Sequence, residues 1–282
     1  MLNILTAGSR PGGSAENEDR WGHSGAAAWV IDGATSVFNR NGATRSDAAW
    51  FAEQADTELA RLLAHPTTRP TEELLLEVVS ACRTAFLAAG GDLSEPGHAP
   101  SATFAMVREM PGGLEFSTLG DCRIIYGDDE NARVFGTSGV TAVEQGTLIA
   151  ARGFLEADPA LTSDALKELL LPKLRENRML MNRAGGYWVL SMNEEAISHL
   201  DRQFVPGDRI DCAIASDGFL RLIELFEEAD AEDLLGIRNP EALDRSFALL
   251  RAREAADRDC RTYLRVKRHD DATFVRLRNE VG

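Results

Sequence analysis

The sequence of 282 residues predicts an α+β domain in which helices cover antiparallel sheets. Residues 41–89, 144–183 and 219–259 have apolar side chains at helical spacing. Between these segments, short runs with the two-residue period of strands are separated by turns rich in Gly, Pro and Asp. A doubly wound parallel sheet would alternate single strands with single helices, an order this chain lacks. With no internal repeat or low-complexity segment, residues 1–282 are expected to form one domain.

The first 36 residues are predicted to form a hairpin whose loop carries acidic residues. Residues 2–7 have strand composition, and a Gly- and Pro-rich loop then leads to Glu18 and Asp19. The opening strand follows and ends in WVIDGATS, residues 29–36, where an apolar run stops at Asp32 and Gly33. The same ending recurs downstream in IDCAIASDG, residues 210–218.

Two helices are predicted next, over residues 41–65 and 71–89. Thr44 or Ser46 is expected to cap the first and Thr71 the second, because hydroxyl oxygens accept hydrogen bonds from the free N–H groups. The link between them is short and contains proline, so the helices should lie antiparallel on a sheet.

The rest of the chain returns to strands and then to helices. Four runs between residues 101 and 136 (SATFAMV, LEFSTLG, CRIIYG and ARVFG) predict an antiparallel meander. Residues 144–183 are expected to be helical, with Pro172 kinking or dividing the helix. Strands follow at 187–192, 209–215 and 272–278, with helices over 219–259 broken near Gly236 and Pro240.

Composition limits the partners and the compartment. The formal charge of -15, from 45 acidic and 30 basic residues, disfavours nucleic acid and anionic membranes as partners. The chain lacks an apolar run of about 18 residues, which argues against a membrane span. The N-terminus does not resemble a signal peptide. Four widely spaced cysteines without a CxxC pair predict reduced thiols in the cytoplasm.

Several enzyme chemistries are excluded by spacing. None of the three lysines follows a glycine, so the chain has no GxxxxGK[ST] phosphate loop. It has no GxSxG nucleophile motif. No cysteine has the arginine that a cysteine phosphatase needs six positions later, and His269-Asp270 lacks the downstream metal-binding aspartate of an HD-type hydrolase.

What remains is a set of acidic residues at the ends of predicted strands. They are Glu18, Asp19, Asp32, Asp121, Asp217 and either Asp270 or Asp271. Each alone is more often a turn residue. Carboxylates gathered at one sheet edge, however, need a compensating cation, and oxygen ligands select Mg²⁺ or Mn²⁺. Two ions bridged by Asp32, with the Gly33 carbonyl as a further ligand, would lower the pKa of a shared water and polarise a phosphoryl group.

Six motifs, in order, resemble those of the metal-dependent protein phosphatases, the type-2C Ser/Thr family. They are NEDR (17–20), VIDGATS (30–36), SATF (101–104), LGDCR (119–123), ASDGF (215–219) and DDATFV (270–275). The resemblance implies a four-layer α-β-β-α sandwich of two antiparallel sheets flanked by helix pairs.

The same resemblance implies a role for each acidic residue. Asp32 would bridge two metals, Asp217 and Asp270 would bind the first, and Glu18 with the Gly33 carbonyl would bind the second. Asp19 would orient a metal-bound water, and Asp121 with Asp217 would hold a third, weaker ion.

The sequence also departs from the family pattern. DGATS replaces the usual DGxGG, whose middle position is often the histidine that serves as general acid. The expected phosphate-contacting arginine falls on Ser14, which leaves the nearby Arg10 as a weak candidate. Residues 144–190 match the family segment poorly.

These observations favour a Mg²⁺- or Mn²⁺-dependent phosphatase with a role in signalling that acts on phosphoserine or phosphothreonine in proteins, with a cognate Ser/Thr kinase as a further expected partner. One alternative is a catalytically silent relative that binds and regulates a partner, favoured by the missing His and Arg. Another is a phosphatase of small metabolites, which shares the metal chemistry.

Overall fold

A computed structural model describes residues 2–13, 16–38, 45–128, 131–136 and 140–279. The strands are β1 (Leu2–Arg10), β2 (Asp19–Ser24), β3 (Ala27–Gly33), β4 (Ser101–Met110), β5 (Gly113–Leu119), β6 (Arg123–Gly127), β7 (Arg133–Phe135), β8 (Leu190–Ser191), β9 (Asp201–Pro206), β10 (Asp211–Ala215) and β11 (Ala272–Asn279). The helices are α1 (Asp47–Leu62), α2 (Thr71–Ala88), α3 (Val140–Ala157), α4 (Ser163–Arg178), α5 (Asp217–Glu224), α6 (Ala231–Leu235) and α7 (Pro240–Ala256).

The strands form two antiparallel sheets, and the predicted α+β class is confirmed. The first sheet has the order β1-β11-β10-β6-β7, and the second has the order β2-β3-β4-β5-β9, with β8 paired to β4. Their inner faces pack on each other, because Val30, Val107 and Phe116 of the second sheet share one buried cluster with residues of the first. Ile124, Ile214 and Val275 are the main contributions of the first sheet to that cluster.

Helices cover both outer faces, which gives the four layers. Trp29 and Ile31 alternate with Val30 along β3, so they point away from the other sheet and pack against Phe51 and Leu75 of α1 and α2. On the opposite face, α5, α6 and α7 bury the outer side of the first sheet. Trp29 also donates from Nε1 to Asp56 Oδ1 at 2.8 Å, which satisfies its one polar atom.

Helices α3 and α4 form a smaller unit beside the sandwich. Ala151, Leu166 and Leu170 bury their side chains together, and Leu264 and Val266 from the loop before β11 pack against them. No helix in the described part of the chain has the length and hydropathy needed to span a bilayer.

Two predicted strand pairings are wrong. β1 does not form a hairpin with β3: it pairs with β11 in the first sheet, and β3 pairs with β2. The predicted meander is divided between the sheets, since β4 and β5 pair in the second and β6 and β7 pair in the first. The two-residue period identifies strands but carries no information about which strands pair.

The helix predictions are confirmed in outline and corrected in detail. Ser46 is the cap of α1, and Thr44 lies outside the described residues. Thr71 is the first residue of α2 rather than its cap. Pro172 lies inside α4 and is exposed, so water can bind the carbonyl that its ring leaves without a donor. The division falls instead before Thr162, which caps α4.

Two other strands differ from the prediction. The sequence does not predict β9, because DRQFVP begins with three consecutive polar residues and ends in proline, and so lacks the apolar run that marks the other strands. In the segment 187–192, the strand is limited to Leu190–Ser191.

Candidate metal centre

The site begins where β2 and β3 pair. In this register Asp19 lies opposite Asp32, and Asp32 lies opposite Thr103 on its other side. Glu18 precedes β2, and its backbone carbonyl accepts a hydrogen bond from the Gly33 N–H at 3.2 Å. Three predicted acids are therefore placed together by one antiparallel strand pair.

Gly33 allows this close approach. A Cβ at Gly33 would lie 2.7 Å from the Glu18 carbonyl oxygen and 3.1 Å from that of Ala48, and neither backbone atom can move easily. The Glu18 side chain is buried, and its two carboxylate oxygens accept hydrogen bonds from the hydroxyls of Thr35 and Ser46. The Glu18 carboxylate is thus held in one position beside the end of β3.

The second Asp-Gly pair also allows two chain segments to approach each other closely. Asp217 and Gly218 form the first residues of α5, directly after β10. A Cβ on Gly218 would overlap the carbonyl oxygen of Asp271, so glycine lets α5 begin against the chain that enters β11. This contact brings Asp217 next to Asp270.

Hydrogen bonds join the acids of the two sheets. Asp19 Oδ2 accepts from Ser216 Oγ at 2.9 Å and from Thr273 Oγ1 at 2.7 Å, although Asp19 belongs to the second sheet and the donors to the first. Asp32 of the second sheet and Asp217 of the first also lie close together, because burial and then the charges of Asp19 and Asp217 raise the pKa of Asp32. The structure thus brings Asp32, Asp217 and Asp270 close together.

The structure distinguishes Asp270 from Asp271, which the sequence left open. Asp271 accepts hydrogen bonds from the N–H groups of Gly12 and Glu18, both at 2.6 Å, so its carboxylate fixes the backbone around β2. Asp270 faces the other acids: its charge raises the pKa of Asp32 and Asp217.

Crowding of buried carboxylates changes their ionisation. Burial, opposed by the hydrogen bonds from Thr273 and Ser216, raises the pKa of Asp19 to about 7. Burial and the charge of Asp217 raise the pKa of Asp121 to about 7. Burial, followed by the charges of Asp19 and Asp217, raises the pKa of Asp32 well above its ordinary value. A bound cation would relieve each of these effects.

Asp270 is the exception, because two basic side chains compensate it. Lys267 Nζ lies 2.9 Å from Asp270 Oδ1, and Arg221 Nη2 lies 2.7 Å from Oδ2. Burial opposes ionisation of Asp270, and the charges of Lys267 and Arg221 outweigh it and lower its pKa. Neither basic residue was predicted, since nothing in the sequence pattern marks them.

A third acidic residue joins Asp121 and Asp217. One carboxylate oxygen each from Asp121, Asp217 and Glu144 of α3 lie within 4.8 Å of one another. Among the described residues, Asp121 Oδ1 and Asp19 Oδ1 are buried without a hydrogen-bond partner. Glu144 could not be predicted, because an acid at the start of a helical segment is ordinarily solvated.

Arg10, the predicted phosphate contact, has its partners on α7. Its Nη2 lies 3.0 Å from Asp244 Oδ1, and its guanidinium lies 5.1 Å from the ring centre of Phe247, both on α7. These contacts place the Arg10 side chain against α7, and its contact with phosphate stays a prediction. Ser14, where the resemblance places an arginine, lies outside the described residues.

Comparison with known proteins gives one family match. The family model described as "Protein phosphatase 2C" matches residues 12–157, which include Glu18, Asp19, Asp32 and Asp121. No curated protein sequence matches the chain.

Solved structures with the same fold cover almost the whole chain. The serine/threonine phosphatase PstP/Ppp of Mycobacterium tuberculosis has a TM-score of 0.60 and 17% identity, with 99% of each chain covered. The catalytic domain of PstP in complex with two manganese ions has a TM-score of 0.57 and 17% identity, covering 100% of this chain and 99% of that one. PppA of Pseudomonas aeruginosa, a regulatory component of T6SS, has a TM-score of 0.57 and 14% identity, covering 99% and 98%.

Proposed function

The chain belongs to the protein phosphatase 2C family, and on that basis we propose that it is a Mg²⁺- or Mn²⁺-dependent phosphatase that hydrolyses phosphoserine and phosphothreonine in proteins. We take residues 1–282 as one phosphatase domain. The main support is the convergence of Asp32, Asp217 and Asp270 from separate segments into one buried, acidic site. So many like charges would repel one another in this site unless a cation binds among them.

The donor set fits divalent cations. Every side-chain donor is a carboxylate, and the Asp19 and Asp121 oxygens without partners are the groups that a cation or its waters would satisfy. Asp32 would bridge two ions, with Asp217 and Asp270 on one and Glu18 and the Gly33 carbonyl on the other. Asp121, Asp217 and Glu144 would hold a third.

Hydrolysis transfers the phosphoryl group to water. A bond forms between phosphorus and the water oxygen, the bond to the Ser or Thr oxygen breaks, and the leaving oxygen takes a proton. When bound, the ions supply Lewis-acid polarisation of the phosphoryl group and a more acidic water. No protein nucleophile is required, in accord with the motifs excluded above.

Asp19 is the residue that would orient the attacking water. Ser216 and Thr273 hold its Oδ2, which leaves the buried Oδ1 to accept a hydrogen bond from water. Burial raises the pKa of Asp19 to about 7 in the metal-free protein, and bound cations would lower it, which favours the ionised carboxylate that can accept this hydrogen bond.

The expected partner is a phosphorylated protein, together with the Ser/Thr kinase that modifies it. We place the enzyme in the cytoplasm, since its four cysteines are free and buried, as is usual in a reducing compartment. Its acidic surface disfavours nucleic acid and anionic lipid.

The test is hydrolysis of an aryl phosphate and of a phosphothreonine peptide with Mn²⁺. We expect both to be hydrolysed, EDTA to abolish the activity, and Asp32→Asn to lower it by more than about 100-fold, since removing even an outer-shell partner of a metal ligand costs 10- to 100-fold. Asp244→Asn, on the exposed partner of Arg10, is the matched control and should retain activity.

Three results separate the alternatives. Activity unchanged by EDTA would contradict the metal-dependent mechanism. Absence of hydrolysis together with absence of Mn²⁺ binding by calorimetry would favour the silent binding module. Hydrolysis of phosphorylated metabolites but not of phosphopeptides would favour the metabolite phosphatase.

A further inference from the structure

Two basic residues contact the same metal-site carboxylate, and they differ in how firmly they are held. Arg221 bonds to Asp270 Oδ2 and, through Nη1, to Glu254 Oε1 at 2.8 Å. Glu254 is fully buried and also accepts from Arg251 Nη1 at 2.6 Å. Arg221 is therefore held in place by an ion-pair network around the buried Glu254.

Lys267 has no such support. Its Nζ contacts Asp270 Oδ1 at 2.9 Å, and it has no second carboxylate partner in the described part of the chain. Its side chain is 37% exposed, against 12% for Arg221, so it can be reached from solvent. Lys267 lies in the loop before β11, three residues before Asp270, and its charge also acts on Asp217.

The position of the ammonium group creates a conflict with a bound cation. It contacts an oxygen of Asp270, the carboxylate that the proposed function assigns to the first ion. Two positive charges beside one carboxylate oxygen repel each other, so a bound ion weakens the contact of the ammonium with Asp270. The ammonium can leave, because it is carried by a flexible four-carbon stem, whereas the Arg221 guanidinium is held by Glu254.

Building on the proposed function, we infer that Lys267 competes with the divalent cation for Asp270 and, once displaced, provides the positive charge that binds the substrate phosphoryl group. A phosphoryl dianion has several acceptor oxygens, and lysine binds such groups as a point charge. After displacement the ammonium stays tethered three residues from Asp270, at the solvent-accessible side of the site.

Two arginines that could be considered for the same role, Arg10 and Arg123, have other partners. Arg10 is bound to Asp244 on α7. Arg123 lies beside Asp121, and its Nη1 contacts the carbonyl oxygens of Gly120 and Cys122 at 3.4 Å. Lys267 is thus a basic residue that is both partly exposed and in direct contact with an acid of the site.

The test compares Lys267→Met with Lys173→Met. Lys173 is a close control, because it is also 37% exposed and also pairs with an acid three residues away, at 2.8 Å from Glu176, outside the metal centre. Mn²⁺ affinity is measured by calorimetry, and KM and kcat are measured with an aryl phosphate.

We expect Lys267→Met to bind Mn²⁺ about 3- to 10-fold more tightly, because the competing charge is gone. The same variant should show a KM raised by about 10-fold with kcat less affected, because a charge-assisted contact to substrate is lost. Lys173→Met should match wild type in both measurements.

Tighter Mn²⁺ binding together with a raised KM distinguishes this role from a purely structural one. Unchanged or weaker Mn²⁺ binding in Lys267→Met would overturn the inference, as would an unchanged KM. Failure of the proposed function would look different: wild type would hydrolyse neither substrate, while the Mn²⁺ titrations of the two variants would still decide whether Lys267 competes for Asp270.

Discussion

Gly218 lies so close to the carbonyl oxygen of Asp271 that a Cβ at this position would overlap it. Gly33 has the same relationship to the Glu18 carbonyl oxygen, at 2.7 Å from the position of its missing Cβ. The two Asp-Gly pairs are therefore not ordinary turns. Each glycine lets two segments that carry acids approach closely, and the site depends on both glycines.

Gly218→Ala is expected to destabilise the protein by about 1–3 kcal/mol, because a backbone oxygen must move to admit the methyl group. Displacement of Asp270 should also weaken Mn²⁺ binding. The control is Gly153→Ala in α3, where a Cβ has open space and should stabilise the helix by up to about 1 kcal/mol. Thermal unfolding measures both. Equal melting temperatures for the two variants would contradict the packing argument.

Glu144→Gln is expected to weaken the third, lowest-affinity Mn²⁺ site by about 10-fold, because one of its three carboxylates becomes neutral. Binding at the two tighter sites should be retained. Glu156→Gln, on the same helix, is the control. Calorimetric titration separates the site classes, and identical isotherms for the two variants would exclude Glu144 as a ligand.

Stabilisation by Mn²⁺ is expected to increase with pH. Burial raises the pKa of Asp19 and Asp121 from 3.8 to about 7, so between these values the metal-free folded protein binds more protons than the unfolded chain. The stability contributed by these two groups therefore falls as the pH rises through that range.

A cation needs the ionised carboxylates, so its binding releases protons and its stabilising effect grows over the same range. The increase in melting temperature caused by Mn²⁺ should be larger at about pH 7.5 than at about pH 5.5. An increase that is constant or smaller at the higher pH would show that these carboxyls do not bind the ion.

Thr273→Val is expected to move the acidic limb of the kcat/KM profile to higher pH. The Thr273 hydroxyl donates to Asp19 at 2.7 Å and lowers its pKa, so removing it makes Asp19 harder to ionise. Thr57→Val, on an exposed hydroxyl that bonds to the Glu53 carbonyl, is the control. A profile that does not move would mean that ionised Asp19 is not needed for the reaction.

The sequence pointed to acids that lie close together in the structure, but not to the residues around them. Asp32 and Asp217 could be found because each ends an apolar strand and precedes glycine, a local pattern that does not depend on strand pairing. Lys267, Arg221 and Glu144 could not be found, because their roles follow from where a loop and two helices lie on the sandwich. The pairing of β1 with β11 was missed for the same reason, since the register joins residues at opposite ends of the chain.

The proposal that these carboxylates bind divalent cations is tested most directly by anomalous scattering from a crystal soaked in Mn²⁺. We expect at least two anomalous peaks beside Asp32, one toward Asp217 and Asp270 and one toward Glu18 and the Gly33 carbonyl. A crystal in which no peak lies among these groups, at a Mn²⁺ concentration that supports hydrolysis, would contradict the proposed metal centre.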